Sequence, residues 1–172
     1  MTKFLTKAAL VATAATGLFA TPALAAPPAT GSFDANATIV KPVTMTFVDD
    51  LDFGTTTMNP TLTSATVTVG DADGSVAVCS SPQLTCSGGF PAKFNLTSGV
   101  RGQTVEISFD NPPTQLDHAS GDSVPFTLNP VEDVVLDPTG AGSFNVGGQI
   151  TVVAANDDGL YTATVDISAN YL

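Results

Sequence analysis

Tyr161-Thr162-Ala163-Thr164-Val165-Asp166-Ile167-Ser168-Ala169-Asn170-Tyr171 ends one residue before the chain does, and its side chains alternate apolar and polar without a break. In an extended backbone successive side chains point to opposite faces. Tyr161, Ala163, Val165, Ile167, Ala169 and Tyr171 therefore form one apolar stripe, and Thr162, Thr164, Asp166, Ser168 and Asn170 form a polar one. The apolar stripe has to be buried. Eleven residues also exceed the usual five or six of a strand, and a long unpaired edge invites pairing with another chain. The stretch predicts a strand with a companion beside it.

Upstream the same period of two recurs. Strands are expected at residues 33–40, 43–48, 66–69, 75–79, 92–97, 104–109, 124–128, 143–146, 149–154 and 160–171, with turn residues every eight to twelve positions between them. Gly54, Asn59-Pro60, the run from Gly70 to Gly74, Gly88-Gly89, Asn111-Pro112-Pro113, Asp137-Pro138, Gly147-Gly148 and Asp157-Asp158-Gly159 supply that punctuation. No stretch repeats at helical spacing, and among 16 acidic residues only Glu106 and Glu132 are Glu, the rest being turn-favouring Asp. The expected fold is all-β, a sandwich of short strands. A net charge of -11 repels phosphate backbones and anionic lipid, so nucleic-acid binding through a basic patch is excluded.

The start of the chain reads differently. Lys3 and Lys7 precede an apolar run over residues 8–20, then Thr21-Pro22 leads into Ala23-Leu24-Ala25, the pattern of a secretory signal peptide over residues 1–25. A run of thirteen positions falls short of the roughly 20 that cross a bilayer, and no transmembrane segment is expected. Export implies an oxidising compartment, so the only two cysteines, Cys79 and Cys86, are expected to pair. A zinc site needs four ligands, and two Cys with one distant His do not supply them.

Residues 26–41 form an N-terminal extension ahead of a domain over 42–172. Within it Phe33, Ala35, Ala37 and Ile39 alternate with Ser32, Asp34, Asn36 and Thr38, and Lys41-Pro42 cuts the run before the next strand, because proline cannot donate to a ladder. This arm has an apolar face that its own few residues cannot bury. It packs either on its own domain or on a neighbour.

Gly159, fourteenth from the end, and the penultimate Tyr171 make the closing strand similar to that of chaperone-usher pilin subunits, and the arm resembles their donor strand. The interior resembles the family of pilin-like secreted bacterial domains of unknown function 4402 (DUF4402). That likeness rests on Ala37-Thr38-Ile39-Val40-Lys41-Pro42-Val43, Leu51-Asp52-Phe53-Gly54, Ala65-Thr66-Val67-Thr68-Val69, Pro91-Ala92-Lys93-Phe94, Phe144-Asn145-Val146-Gly147-Gly148 and Gly159-Leu160-Tyr161-Thr162. One departure is that many secreted pilins tie their first strand with a disulfide, whereas these cysteines lie at mid-chain. The resemblance implies an immunoglobulin-like, pilin-like sandwich lacking its last strand. Its acceptor groove would run along Gly159, Tyr161, Ala163, Val165, Ile167, Ala169 and Tyr171, with Phe33, Ala35, Ala37 and Ile39 as the donor residues.

The function implied is a structural subunit of a surface fimbria with a role in adhesion, exported through the periplasm to the cell surface or beyond. Its partners would be a periplasmic chaperone, an outer-membrane usher and neighbouring subunits in a homo- or hetero-polymer. The alternative is a monomeric secreted or surface sandwich that binds a ligand such as carbohydrate, a class that leans on exposed Trp, of which there is none. No enzyme activity and no cofactor are expected. His118 lies in a polar, turn-like stretch, the run from Gly70 to Gly74 lacks the later ligands of a calcium loop, and Asp50 and Asp52 alternate away from Leu51 and Phe53 toward solvent.

Overall fold

The computed structural model describes residues 29–172, and the export segment expected over 1–25 lies outside them. The described chain divides after Ala37 into two units. In the first, residues 29–37 carry no regular secondary structure and their side chains are exposed, Phe33 at 90%. Residues 33–40, expected as a strand, therefore carry none. Alternation makes a segment ready to be a strand, but only a neighbouring backbone satisfies its N–H and C=O groups.

The second unit, Thr38–Leu172, is an all-β sandwich with no helix among the described residues. Its strands are β1 (Thr44–Asp49), β2 (Thr55–Met58), β3 (Ala65–Val69), β4 (Val78–Cys79), β5 (Leu84–Ser87), β6 (Ala92–Thr97), β7 (Thr104–Asp110), β8 (Gln115–His118), β9 (Ser123–Leu128), β10 (Val134–Val135), β11 (Gly142–Val146), β12 (Gly148–Val152), β13 (Tyr161–Thr162) and β14 (Asp166–Tyr171). They form a six-stranded sheet in the order β13-β8-β9-β12-β3-β4, two three-stranded sheets, β1-β6-β11 and β10-β7-β14, and the pair β2-β5. Every pairing is antiparallel.

Alternation built the interior as the sequence indicates. Val67 and Val69 of β3, Val124 and Phe126 of β9, and Ile150 and Val152 of β12 are buried in one cluster, with Phe53, Leu62 and Leu84. Leu96 of β6, Val105 and Ile107 of β7, and Phe144 and Val146 of β11 are buried in a second with Leu136. Leu51 and Leu128 pack against both clusters. Between β11 and β12 the chain changes sheets at Gly147, where a Cβ would press within 2.7 Å of the Asn129 side chain and of the Gly70 backbone.

The closing stretch changes sheets too, and this corrects the expectation of one eleven-residue strand. Tyr161 and Thr162 pair with His118 and Asp117 of β8, residues 163–165 leave the ladder, and Asp166–Tyr171 then pairs with β7. Period-two patterning specifies which face turns inward but not which backbone lies alongside. A segment passing from one sheet of a sandwich to the other keeps the same inward face. His118, expected in a turn, likewise belongs to a strand, because β8 has β9 on one side and β13 on the other.

The cysteines pair as expected, with Cα atoms 5.8 Å apart. Cys79 ends β4, the edge of the six-stranded sheet, and Cys86 lies on β5, so the bond ties that sheet to the β2-β5 pair. The closed loop is short. Replacing both residues (Cys79→Ser with Cys86→Ser) is expected to lower unfolding free energy by about 2 to 3 kcal/mol, read from denaturant titration of the two proteins side by side.

Candidate functional site

β1 is held to β6 by a register that places Phe47 opposite Phe94, and β11 continues the row with Phe144 opposite Phe94. The Phe94 and Phe144 rings stack at 5.1 Å, and Phe47 meets Phe94 edge-on at 5.9 Å. Burial falls along this row. Phe144 is 9% exposed and Phe47 is 55% exposed, although Phe47 lies on the same face. The reason is a cleft of about 910 Å³ that opens beside β1.

One wall of the cleft is Phe47 with residues 50–54, continued by Thr56 and Met58 of β2; the other is residues 156–165 with Ile167. Val124, Phe126, Leu128, Val146, Ile150 and Val152 line it from the interior. β1 and β14 are outermost in their sheets, so each presents one backbone edge that has no strand partner among the described residues. At one end the walls are joined. The Tyr171 hydroxyl donates to the Lys41 carbonyl at 3.0 Å and accepts from the Val100 N–H at 2.9 Å. Val43, Met45, Ala169 and Tyr171 near that junction pack against the second core cluster and take no part in lining the cleft.

Residues 43–171 match the family described as Domain of unknown function (DUF4402). The chain belongs to the DUF4402 family. Comparison with curated proteins and with solved structures gave no match. The DUF4402 match takes in both walls of the cleft and stops short of the arm.

Of the residues expected along a groove, Gly159, Tyr161, Ala163, Val165 and Ile167 line the cleft. Ala169 and Tyr171 do not, because the Tyr171 hydroxyl closes that end. None of the seven is fully buried, and the apolar face of β14 is half-covered. Gly159 has φ +146, and a Cβ there would run into the His118 imidazole, which lies 5.0 Å from the Tyr161 ring. Phe33, Ala35, Ala37 and Ile39 are exposed. Asp50 and Asp52 are exposed as expected, yet they edge the cleft rather than the outer surface. A break in the β1–β6 register between Phe47 and Asp49 precedes them. Period-two counting cannot carry a face across such an irregularity.

Sequence reading missed the knot of polar groups beside Tyr161. Its hydroxyl donates to Asp122 and to the Asp157 carbonyl, while the Asn156 side chain and the Asp157 N–H also donate to Asp122. These donors, the Tyr161 hydroxyl first, hold the Asp122 carboxyl far below its ordinary value. Burial and then the Asp122 contact push the Tyr161 hydroxyl up to about 12. Ser120 lies between His118 Nδ1 at 2.7 Å and Asp157 Oδ2 at 2.6 Å, to which its hydroxyl donates. A nucleophilic triad needs the imidazole between hydroxyl and acid, and here the hydroxyl is in the middle. Asp122 lies far in sequence from Asn156, Asp157 and Tyr161, so no local spacing signals the knot.

The two shifts give opposite pH limits. A carboxyl held low contributes stability that is present above its ordinary value of 3.8 and is lost as pH falls below it. A tyrosine held high contributes stability that is present below 10.0 and is lost as pH rises toward about 12. Thermal unfolding across pH is expected to show both shoulders in the native protein. Tyr161→Phe should remove the alkaline one, and Asp122→Asn should flatten the acid one.

Proposed function

We propose that this DUF4402 domain is a structural subunit of a surface fimbria, an immunoglobulin-like sandwich without its final strand that is completed by the arm of a neighbouring subunit. The observation that carries the reading is the cleft itself: apolar inside, and bordered by β1 and β14, whose outer edges have no strand partner among the described residues. A strand laid between β1 and β14 would satisfy both edges and cover Phe47, Val165 and Ile167. Strand addition of this kind needs an extended donor with alternating apolar residues, and Phe33, Ala35, Ala37 and Ile39 supply one. Burying Phe33 and Ile39 contributes about 1.5 to 3 kcal/mol each, and each ladder hydrogen bond about 0.5 to 1.5 kcal/mol.

Donor and acceptor are different segments of one chain, so the contact is head-to-tail and propagates into a filament instead of closing. In this reading the protein is exported through the periplasm, a chaperone covers the cleft until an outer-membrane usher delivers the subunit, and the fibre serves adhesion. No catalysis and no cofactor enter the proposal. A monomeric binding module is the second reading, favoured by Phe47 and Phe90, which are 55% and 46% exposed at the rim of the cleft where a small ligand would stack.

Light scattering over a concentration series separates the two. The fibre reading expects mass to grow with concentration, and expects Phe33→Asp with Ile39→Asp to abolish growth while leaving the melting temperature of the domain unchanged. Monomers at every concentration, with an arm that resists protease, would establish the module instead.

A further inference from the structure

The cleft is polar in the directional sense. Its closed end is the junction of Tyr171 with Lys41, and β1 leads from there toward residues 50–54, while β14 leads from residues 156–165 back toward the junction. The far end is therefore the mouth. Asp50 and Asp52 edge it on one wall, Asp157 and Asp158 on the other, and no Lys, Arg or His is among the described residues that line the cleft. The arm is polar in a matching way: between Ser32 and Lys41 its charges are Asp34 near the start and Lys41 at the end.

Chain connectivity turns these two facts into a choice of partner. To enter its own cleft, the arm would have to fold back at Lys41-Pro42, beside the closed end, and run along β1 with Asp34 arriving at the acidic mouth. An arm from a second copy has no such tether and can enter in the reverse sense, antiparallel to β14, with its Lys41 at the mouth. Like charges brought together disfavour the first and opposite charges favour the second. We infer that the acidic mouth is a specificity element: the cleft takes residues 33–40 of a second copy with Lys41 facing Asp50, Asp52, Asp157 and Asp158, and disfavours the chain's own arm. This rests on the fibre reading and adds to it the identity and direction of the occupant.

The test uses the full-length protein prepared in normal and isotopically heavy batches that are mixed, with a photo-crosslinking residue, p-benzoylphenylalanine, in place of Leu160, which is 78% exposed and lines the mouth. Crosslinks joining light to heavy chains, and mapping to residues 39–41, are the expected result. Crosslinks within one chain, or to residues 32–34 of either chain, overturn the inference. Growth of mass with concentration alongside such crosslinks would leave the fibre reading standing. An absence of both growth and interchain crosslinks removes the fibre reading and the inference together.

Charge reversal gives the second arm of the test. Lys41→Glu is expected to weaken self-association about three- to fivefold at low salt, with the difference shrinking at 1 M salt. Asp50→Lys with Asp158→Lys, two acids whose side chains make no hydrogen bond within the described residues, should weaken it as well and should restore it when combined with Lys41→Glu. Equal association by all four proteins would overturn the inference.

Discussion

A strand edge whose backbone groups have no ladder partner is stable only if water reaches it or another strand covers it, and β1 and β14, each outermost in its sheet among the described residues, both contribute side chains to one cleft. The rest of the site follows from that constraint. Because no described strand pairs with the outer edge of β1 or of β14, the aromatic row that begins in the core at Phe144 ends exposed at Phe47, and the inward faces of β13 and β14 are only half covered. Water can satisfy the backbone edges but does nothing for the apolar lining. The cleft therefore favours a guest that brings both a backbone and a row of side chains.

The domain keeps its fold around so large an opening because the walls are anchored elsewhere. Buried Val, Leu, Ile and Phe form two clusters on either side, bridged by Leu51 and Leu128. The Tyr171 hydroxyl ties the end of β14 to the chain entering β1, and the disulfide ties the β2-β5 pair, which carries part of one wall, to the large sheet. At the mouth, the contacts of Tyr161 with Asp122 and Asp157 pin the start of the other wall. The walls are thus fixed at their ends and uncovered between them.

Some strands are hard to read because their apolar partners are far away in sequence. β2 is Thr55-Thr56-Thr57-Met58, with almost no apolar contrast, and it exists because β5 lies beside it in full register. β5 overlaps the span closed by the two cysteines, where a short loop suggests a turn rather than a strand. β8 consists of Gln115, Leu116, Asp117 and His118, polar enough to read as a turn, and is held by β9 and β13. β10 has just two residues and depends on β7. In each case the ladder is supplied by another part of the chain, so local pattern carries little of the information.

The period of two in residues 161–171, repeated through β3, β6, β7, β9 and β12, was enough to determine an all-β sandwich and to identify the apolar stripe, since side-chain direction along an extended backbone is a local property. The pairing of Cys79 with Cys86 was equally legible, because the chain offers no other choice. Tertiary structure alone decided that the closing stretch divides between two sheets, that the Tyr171 hydroxyl meets the Lys41 carbonyl and that four aspartates line the cleft. Those outcomes depend on which backbones become neighbours. That is settled by how the whole interior packs, and no single segment encodes it.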